Sequence, residues 1–285
     1  MITYRLQSGP APGSVEYGAS TIEALALGAR NVEVTLEPRD ASMNSCQVTS
    51  LRTRSETLAV GVLLTAVGGF LDAYTFVGHA VFANAQTGNI VVFGVEAASR
   101  HWHAALLRLI PIAAFMVGVV ATETLARPSV RRQVRRPLRV ALGAEIVILA
   151  AVASLPDGAP ALLVTVPVAF AASIQWSTFR MLVDAPYSTL LATGNLRTAT
   201  AATYQWIVDH DPSARRHAGN FGAVVVAFVA GAIIGAICTN NLGPPAVAIA
   251  AGVLLITLVA LIYETRQLER RAANAPVEAG AEEPA

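Results

Sequence analysis

Six stretches of the chain, at 58–78, 106–126, 140–155, 161–179, 221–239 and 246–263, are almost free of charge and run close to the length of a membrane span. An α-helix needs roughly 20 apolar residues to cross about 30 Å of hydrocarbon. Backbone polar groups inside a bilayer have no water to bond, so only helices and closed barrels can span it. Stretches this long imply helices, and the predicted fold is an all-α polytopic membrane bundle. Composition points the same way, with 54% hydrophobic and 14% charged residues against about a quarter charged in a soluble domain. A cytosolic globular enzyme is excluded on that ground. All 20 basic residues are Arg and the net charge is +1, so nothing supports nucleic-acid binding. Cys46 and Cys238 form neither a disulfide framework nor a metal spacing, and no cofactor or metal is expected.

Two further segments are apolar but interrupted: 80–99 by Gln86-Thr87-Gly88-Asn89, and 181–208 by Thr193-Gly194-Asn195. Neither reads as an ordinary crossing, and both are expected to enter and leave the membrane on one side. Residues 1–54 show weak periodicity and no secretory signal, and they read as a largely disordered cytoplasmic tail, with Met43 an alternative start. Residues 265–285 read as a second cytoplasmic tail. Arginine is enriched in cytoplasmic loops. With the N-terminus inside and six crossings, fifteen arginines flank the inner face and only Arg100 and Arg108 the outer. That distribution predicts a multi-pass membrane protein with both termini cytoplasmic.

The second half lies on the first at an offset near 105 residues. Thr87-Gly88-Asn89 falls on Thr193-Gly194-Asn195 at 106, the first crossing on the fourth at 103, and the third on the sixth at 106. The second and fifth differ by 115, which implies an insertion around 209–216. The units, 55–155 and 156–264, each hold an odd number of crossings, so the copies are expected to be inverted relative to one another, a common transporter design.

Gly69-Phe70-Leu71-Asp72-Ala73, followed by Val81-Phe82-Ala83-Asn84-Ala85-Gln86-Thr87-Gly88-Asn89, resembles the signature of the YoaK family of bacterial multi-pass membrane proteins. Ala172-Ser173-Ile174-Gln175 before Thr193-Gly194-Asn195 is the matching feature in the second half. The resemblance spans about residues 55 to 263. The resemblance implies the fold and a location in the bacterial plasma (inner) membrane, and it carries no substrate.

Asp72 lies deep in the first span, where an ionisable group usually faces a cavity or a partner. An acid reaching the outer interface is the plainer alternative. Gln175 aligns with it at offset 103 and serves equally well as a helix-packing hydrogen bond. Each Thr-Gly-Asn can break and restart a helix, with Thr or Asn capping freed N–H groups. The restarted helix then presents a partly positive N-terminus to a polar or anionic group. Arg197 is expected either to pair with Asp72 or to reach the cytoplasmic interface. Glu145 is expected to pair with Arg139 or Arg136. His79, His101 and His103, with Trp102, fit an interfacial belt, and Trp176 and Trp206 mark packing or interface depth. Gly231 and Gly235 form a small-residue motif suited to packing within the chain.

The predicted solute pathway therefore comprises Asp72, Gln86, Thr87, Gly88, Asn89, Gln175, Thr193, Gly194, Asn195 and Arg197. The leading expectation is a permease or channel for a small solute, with the lipid bilayer as its other partner and no catalytic residue. The alternatives are a non-transporting assembly or regulatory protein and, with less support, an intramembrane enzyme using Asp72 with Glu145 or His79.

Overall fold

The structure is a computed structural model that describes residues 57–127, 129, 136–183 and 185–273. The expectations for 1–54, including Met43 and Cys46, lie outside the described residues.

Helix α1 (Leu58–His79) ends because Ala80 turns left-handed (φ 53°), its N–H donating to Phe76 O. The Arg108 guanidinium donates to the carbonyl of Ala80. A short non-helical segment at 80–85, the first crossing segment, passes through the interior of the bundle without spanning the membrane itself and leads to α2 (Gln86–Ala98) and α3 (Trp102–Ala126). Pro137, in the first turn where its missing N–H costs nothing, opens α4 (Pro137–Ala153), and α5 (Ala161–Thr178) follows. The second crossing segment, between α5 and residue 192, holds a two-residue antiparallel pair, β1 (Met181–Leu182) and β2 (Ala185–Pro186), with Met181 opposite Pro186. Then come α6 (Ala192–Val208) and α7 (Pro212–Leu242). Helix α7 is capped by Asp211, whose carboxylate accepts from Ser213 N at 2.8 Å. Gly243 (φ +66°) ends α7, and a 3-10 turn leads into α8 (Val247–Ala273).

Five of these helices, α1, α3, α5, α7 and α8, are long and apolar enough to cross a membrane. The third expected crossing falls on α4, which at 17 residues is about 26 Å long. Two boundaries differ from expectation. Helix α7 starts at Pro212, well before the apolar stretch at 221, because Asp211 and Pro212 supply a complete helix start in polar sequence. Helix α8 runs on to Ala273, into the segment expected as a tail.

Helix α1 is central: 67% of its apolar window is buried, against 17% for α3 and 28% for α7. It packs on α7, α8 and α5, while α5 packs on α3, α4 and α1; α2 lies on α3, α6 on α7, and α4 on α8. Exchanging α1 with α5, α2 with α6, α3 with α7 and α4 with α8 returns the same set of pairs. The core joins Leu64, Val67 and Leu71 of α1 to Leu142, Val168 and Leu254. Glycines set the closest approach. A Cβ on Gly231 or Gly235 would strike the backbone of Ala66 or Phe70, and one on Gly118 would strike Ser173 and the Phe170 carbonyl. The Gly231 and Gly235 motif therefore packs within the chain.

Outward-facing residues are large and apolar, among them Leu106, Met116 and Val120 of α3 and Val226, Ile233 and Ile237 of α7. A water-soluble monomer rarely exposes apolar surface on that scale, and hydrocarbon is its natural solvent.

Candidate functional site

The two crossing segments carry the chemistry of the fold. Each is non-helical chain inside an apolar bundle, so its N–H and C=O groups need partners from the protein itself. In the first, Asn89 Oδ1 accepts from Phe82 N at 3.0 Å while its Nδ2 donates to Phe82 O at 2.7 Å. In the second, Asn195 Oδ1 accepts from Ser188 N at 3.1 Å and its Nδ2 donates to Ser188 O at 2.6 Å. Both asparagines reach back seven residues, and both are buried.

This corrects the expected role of the Thr-Gly-Asn motifs. The helices restart at Gln86 and Ala192, so each tripeptide lies inside the first turn rather than at the break. Neither start, at Ala85 or Leu191, has a side-chain cap. Asn89 and Asn195 spend their amides on the segment leading into the helix and present none to a solute. Gln86 is committed in the same way, its Nε2 donating to Ala83 O at 2.7 Å and its Oε1 accepting from Asn89 Nδ2 at 2.9 Å. A Cβ on Gly88 would collide with the ring of Phe82.

Asp72 is buried, and its Oδ1 accepts from Asn84 N at 2.8 Å and Ala85 N at 3.4 Å. The carboxylate thus holds the two N–H groups just ahead of α2. In the second half that work falls to Ser188 Oγ, which accepts from Leu190 N at 3.3 Å and Leu191 N at 3.0 Å. Gln175, aligned with Asp72 in sequence, instead donates from Nε2 to Leu64 O at 3.1 Å. Arg197 is exposed on α6 and makes no pair with Asp72. Glu145 is fully buried, and neither of its carboxyl oxygens accepts a hydrogen bond, so the expected pairing with Arg139 or Arg136 is not made through one. His101 Nδ1 lies 3.0 Å from Glu96 Oε2 in an exposed pair, and Trp102 is exposed beside it.

A cavity of about 590 Å³ brings the two helix starts together. Thr87 contributes from the first motif, Thr193 and Gly194 from the second, and Trp176, Arg180, Tyr187, Ser188 and Leu191 from the second crossing segment and the end of α5. Of the ten predicted residues, Thr87, Thr193 and Gly194 line it, whereas Asp72, Gln86, Gly88, Asn89, Gln175, Asn195 and Arg197 do not. Thr87, Thr193 and Gly194 are solvent-accessible. Sequence reasoning missed Trp176, Arg180 and Tyr187 as lining residues. Arg180 lies 4.0 Å from Glu123 with both side chains more than 60% exposed, a weak tether. Trp176 is held by Phe115, ring centroids 5.7 Å apart. The lining holds one cation, no carboxylate and several hydroxyls, and the starts of α2 and α6 turn the partly positive ends of both helices toward it. It suits a polar or anionic group. Among the described residues no cluster of His, Cys, Asp and Glu could hold a metal.

Long apolar helices around two interrupted chain segments define an all-α polytopic membrane protein. The chain belongs to the family described as protein of unknown function (DUF1275), whose profile matches residues 60–260. That membership agrees with the resemblance carried by residues 69–73 and 81–89. No curated protein and no solved structure matches the chain.

Proposed function

We propose that the protein is a plasma-membrane permease or channel for a small polar or anionic solute, and that its pathway runs between two halves related as inverted repeats. The observation that carries this reading is the cavity into which the starts of both α2 and α6 open. Interrupted backbone in a membrane is tolerated where it is buried in protein or lines a wet space, and half-helix N-termini recur at transporter binding sites. The self-consistent exchange of helix pairs and the matching Asn89 and Asn195 clamps support the repeat. The arginine distribution supports cytoplasmic termini. In this reading the protein is not an enzyme, and its partners are the bilayer and the solute.

The test is solute flux in proteoliposomes with wild type, Trp176→Ala, Arg180→Ala and Thr193→Val. The expected result is uptake of at least one small anion or polar solute by the wild type, lost or reduced at least tenfold in Arg180→Ala with folded yield unchanged. A second reading, a non-transporting assembly protein, is favoured by the commitment of Asp72, Gln86, Asn89 and Asn195 to internal hydrogen bonds. It takes the lead if the wild type moves nothing across a broad solute panel.

A further inference from the structure

Beside the crossing segments, three buried side-chain oxygens have no hydrogen-bond partner: Asn84 Oδ1, Gln175 Oε1 and Thr189 Oγ1. All three residues are at least nine-tenths buried. They come from three separate segments, the first crossing segment, α5 and the second crossing segment, yet the amides of Asn84 and Gln175 and the main chain of Thr189 lie against one strip of α1. Gln175 Nε2 donates to Leu64 O at 3.1 Å, and Asn84 Nδ2 donates to Gly68 O at 2.6 Å. The main-chain oxygen of Thr189 sits 2.5 Å from where a Cβ of Gly68 would be. Leu64 and Gly68 are one turn apart, about 6 Å along the helix axis. Asp72 continues the strip by one more turn and is tied to the same Asn84 through its N–H.

The chemistry of this cluster is one-sided. Both amide nitrogens are spent on helix carbonyls, which fixes Asn84 Oδ1 and Gln175 Oε1 as acceptors without a donor. The Asp72 carboxylate next to them meets neutral N–H groups and, among the described residues, no cation. Buried acceptors and a buried carboxylate are each stabilised by a positive ligand. We propose that the cluster binds a small monovalent cation through Asn84 Oδ1, Gln175 Oε1 and Thr189 Oγ1, with Asp72 supplying the compensating charge. Amide and hydroxyl oxygens are hard ligands suited to alkali ions. A single nearby carboxylate matches a single positive charge, whereas sites for divalent cations draw on several carboxylates. The site lies where the two halves meet and is separate from the lining of the solute cavity.

Thermal unfolding of the full-length protein in detergent tests this, in sodium chloride, potassium chloride or N-methyl-D-glucamine chloride at equal ionic strength. One alkali ion is expected to raise Tm saturably, by roughly 5 °C at high occupancy, with no such rise in N-methyl-D-glucamine. Gln175→Met and Thr189→Val conserve volume and are expected to lose the ion-specific rise. Thr189→Val removes a single unbonded hydroxyl, so it carries the test if Gln175→Met fails to fold. Equal Tm in the three salts, the result if the cluster holds only water, overturns the proposal, as does an undiminished rise in Thr189→Val. The readout is independent of flux. An ion-specific rise without any transport leaves this site standing and removes the permease reading, while transport without an ion-specific rise removes only the site.

Discussion

Asn89 grips the main chain of Phe82 by both its N–H and its C=O, and 106 residues later Asn195 grips Ser188 by the same two bonds. The paired geometry makes the asparagines clamps on non-helical chain in an apolar interior. Removing either strands one donor and one acceptor. Each unmet buried group costs about 1–3 kcal/mol. Asn89→Ala and Asn195→Ala are therefore each expected to lower Tm by roughly 5 to 10 °C in detergent, and by similar amounts. Differential scanning fluorimetry of the two variants checks this, and a harmless Asn195→Ala would contradict the clamp.

The tripeptide repeat marks these asparagines in the sequence, but not what they face. Apolar spans, offset and matched tripeptides were legible because span length and repetition are properties of the chain alone. The clamp was not, because it depends on where the helix restarts. Val81, Phe82 and Ala83 are as apolar as the neighbouring helices, so nothing in their composition marked them as extended chain in need of partners. The left-handed turn at Ala80, a non-glycine residue, gave no signal either. Arg180 was visible only as a charge for counting orientation, and Trp176 only as a packing residue. Their meeting with Thr87 depends on α5 and the second crossing segment returning to α2, a tertiary relation.

Asp72 separates structure from charge. Its Oδ1 accepts from two N–H groups, and an asparagine oxygen can accept the same bonds without the negative charge. Asp72→Asn is expected to fold with a Tm within a few degrees of wild type. Asp72→Leu leaves both N–H groups unpaired and is expected to lose roughly 2–4 kcal/mol. Folded yield by size-exclusion chromatography distinguishes the pair. Equal yields for Leu and Asn would show that the carboxylate oxygen does not hold the segment.

The α1 and α7 backbones approach too closely for any side chain at Gly231. Gly231→Val is expected to push the helices apart and cost about 1–3 kcal/mol or more. Gly219→Ala, on the same helix with open space around it, is expected to be neutral or slightly stabilising. Thermal unfolding of both variants makes the comparison internal to one helix.

At the start of α7, the Ser213 hydroxyl and then its N–H, both donating to Asp211, hold that carboxyl below its ordinary range. A carboxyl whose folded value is depressed stabilises the fold above its unfolded value, and that contribution is lost as pH falls through the folded value. Asp211→Ala is expected to unfold at a slightly lower temperature than wild type at pH 7, and the difference is expected to vanish under strongly acidic conditions. A difference that persists there would point to a cause other than the cap.

Orientation depends on whether α2 and α6 cross. Helix α2 has 13 residues, about 20 Å, well short of the ~30 Å hydrocarbon layer. Helix α6 has 17 but carries Thr193, Asn195, Arg197, Thr198, Thr203 and Gln205, and it does not qualify as an apolar span. If both re-enter and α4 crosses, the loop at Gly158 and the end of α7 at Asn241 face outward while Gln133 faces the cytoplasm. That parity places fifteen arginines inside and two outside. Replacing Cys46 and Cys238, the two cysteines of the chain, gives a background for single cysteines at those positions. A membrane-impermeant maleimide applied to intact spheroplasts is expected to label Gly158→Cys and Asn241→Cys, and to label Gln133→Cys only after lysis. Labelling at Gln133→Cys in intact spheroplasts would reverse the orientation. Opposite results at Gly158→Cys and Asn241→Cys would mean that an odd number of crossings lies between them, and that α6 spans the bilayer after all.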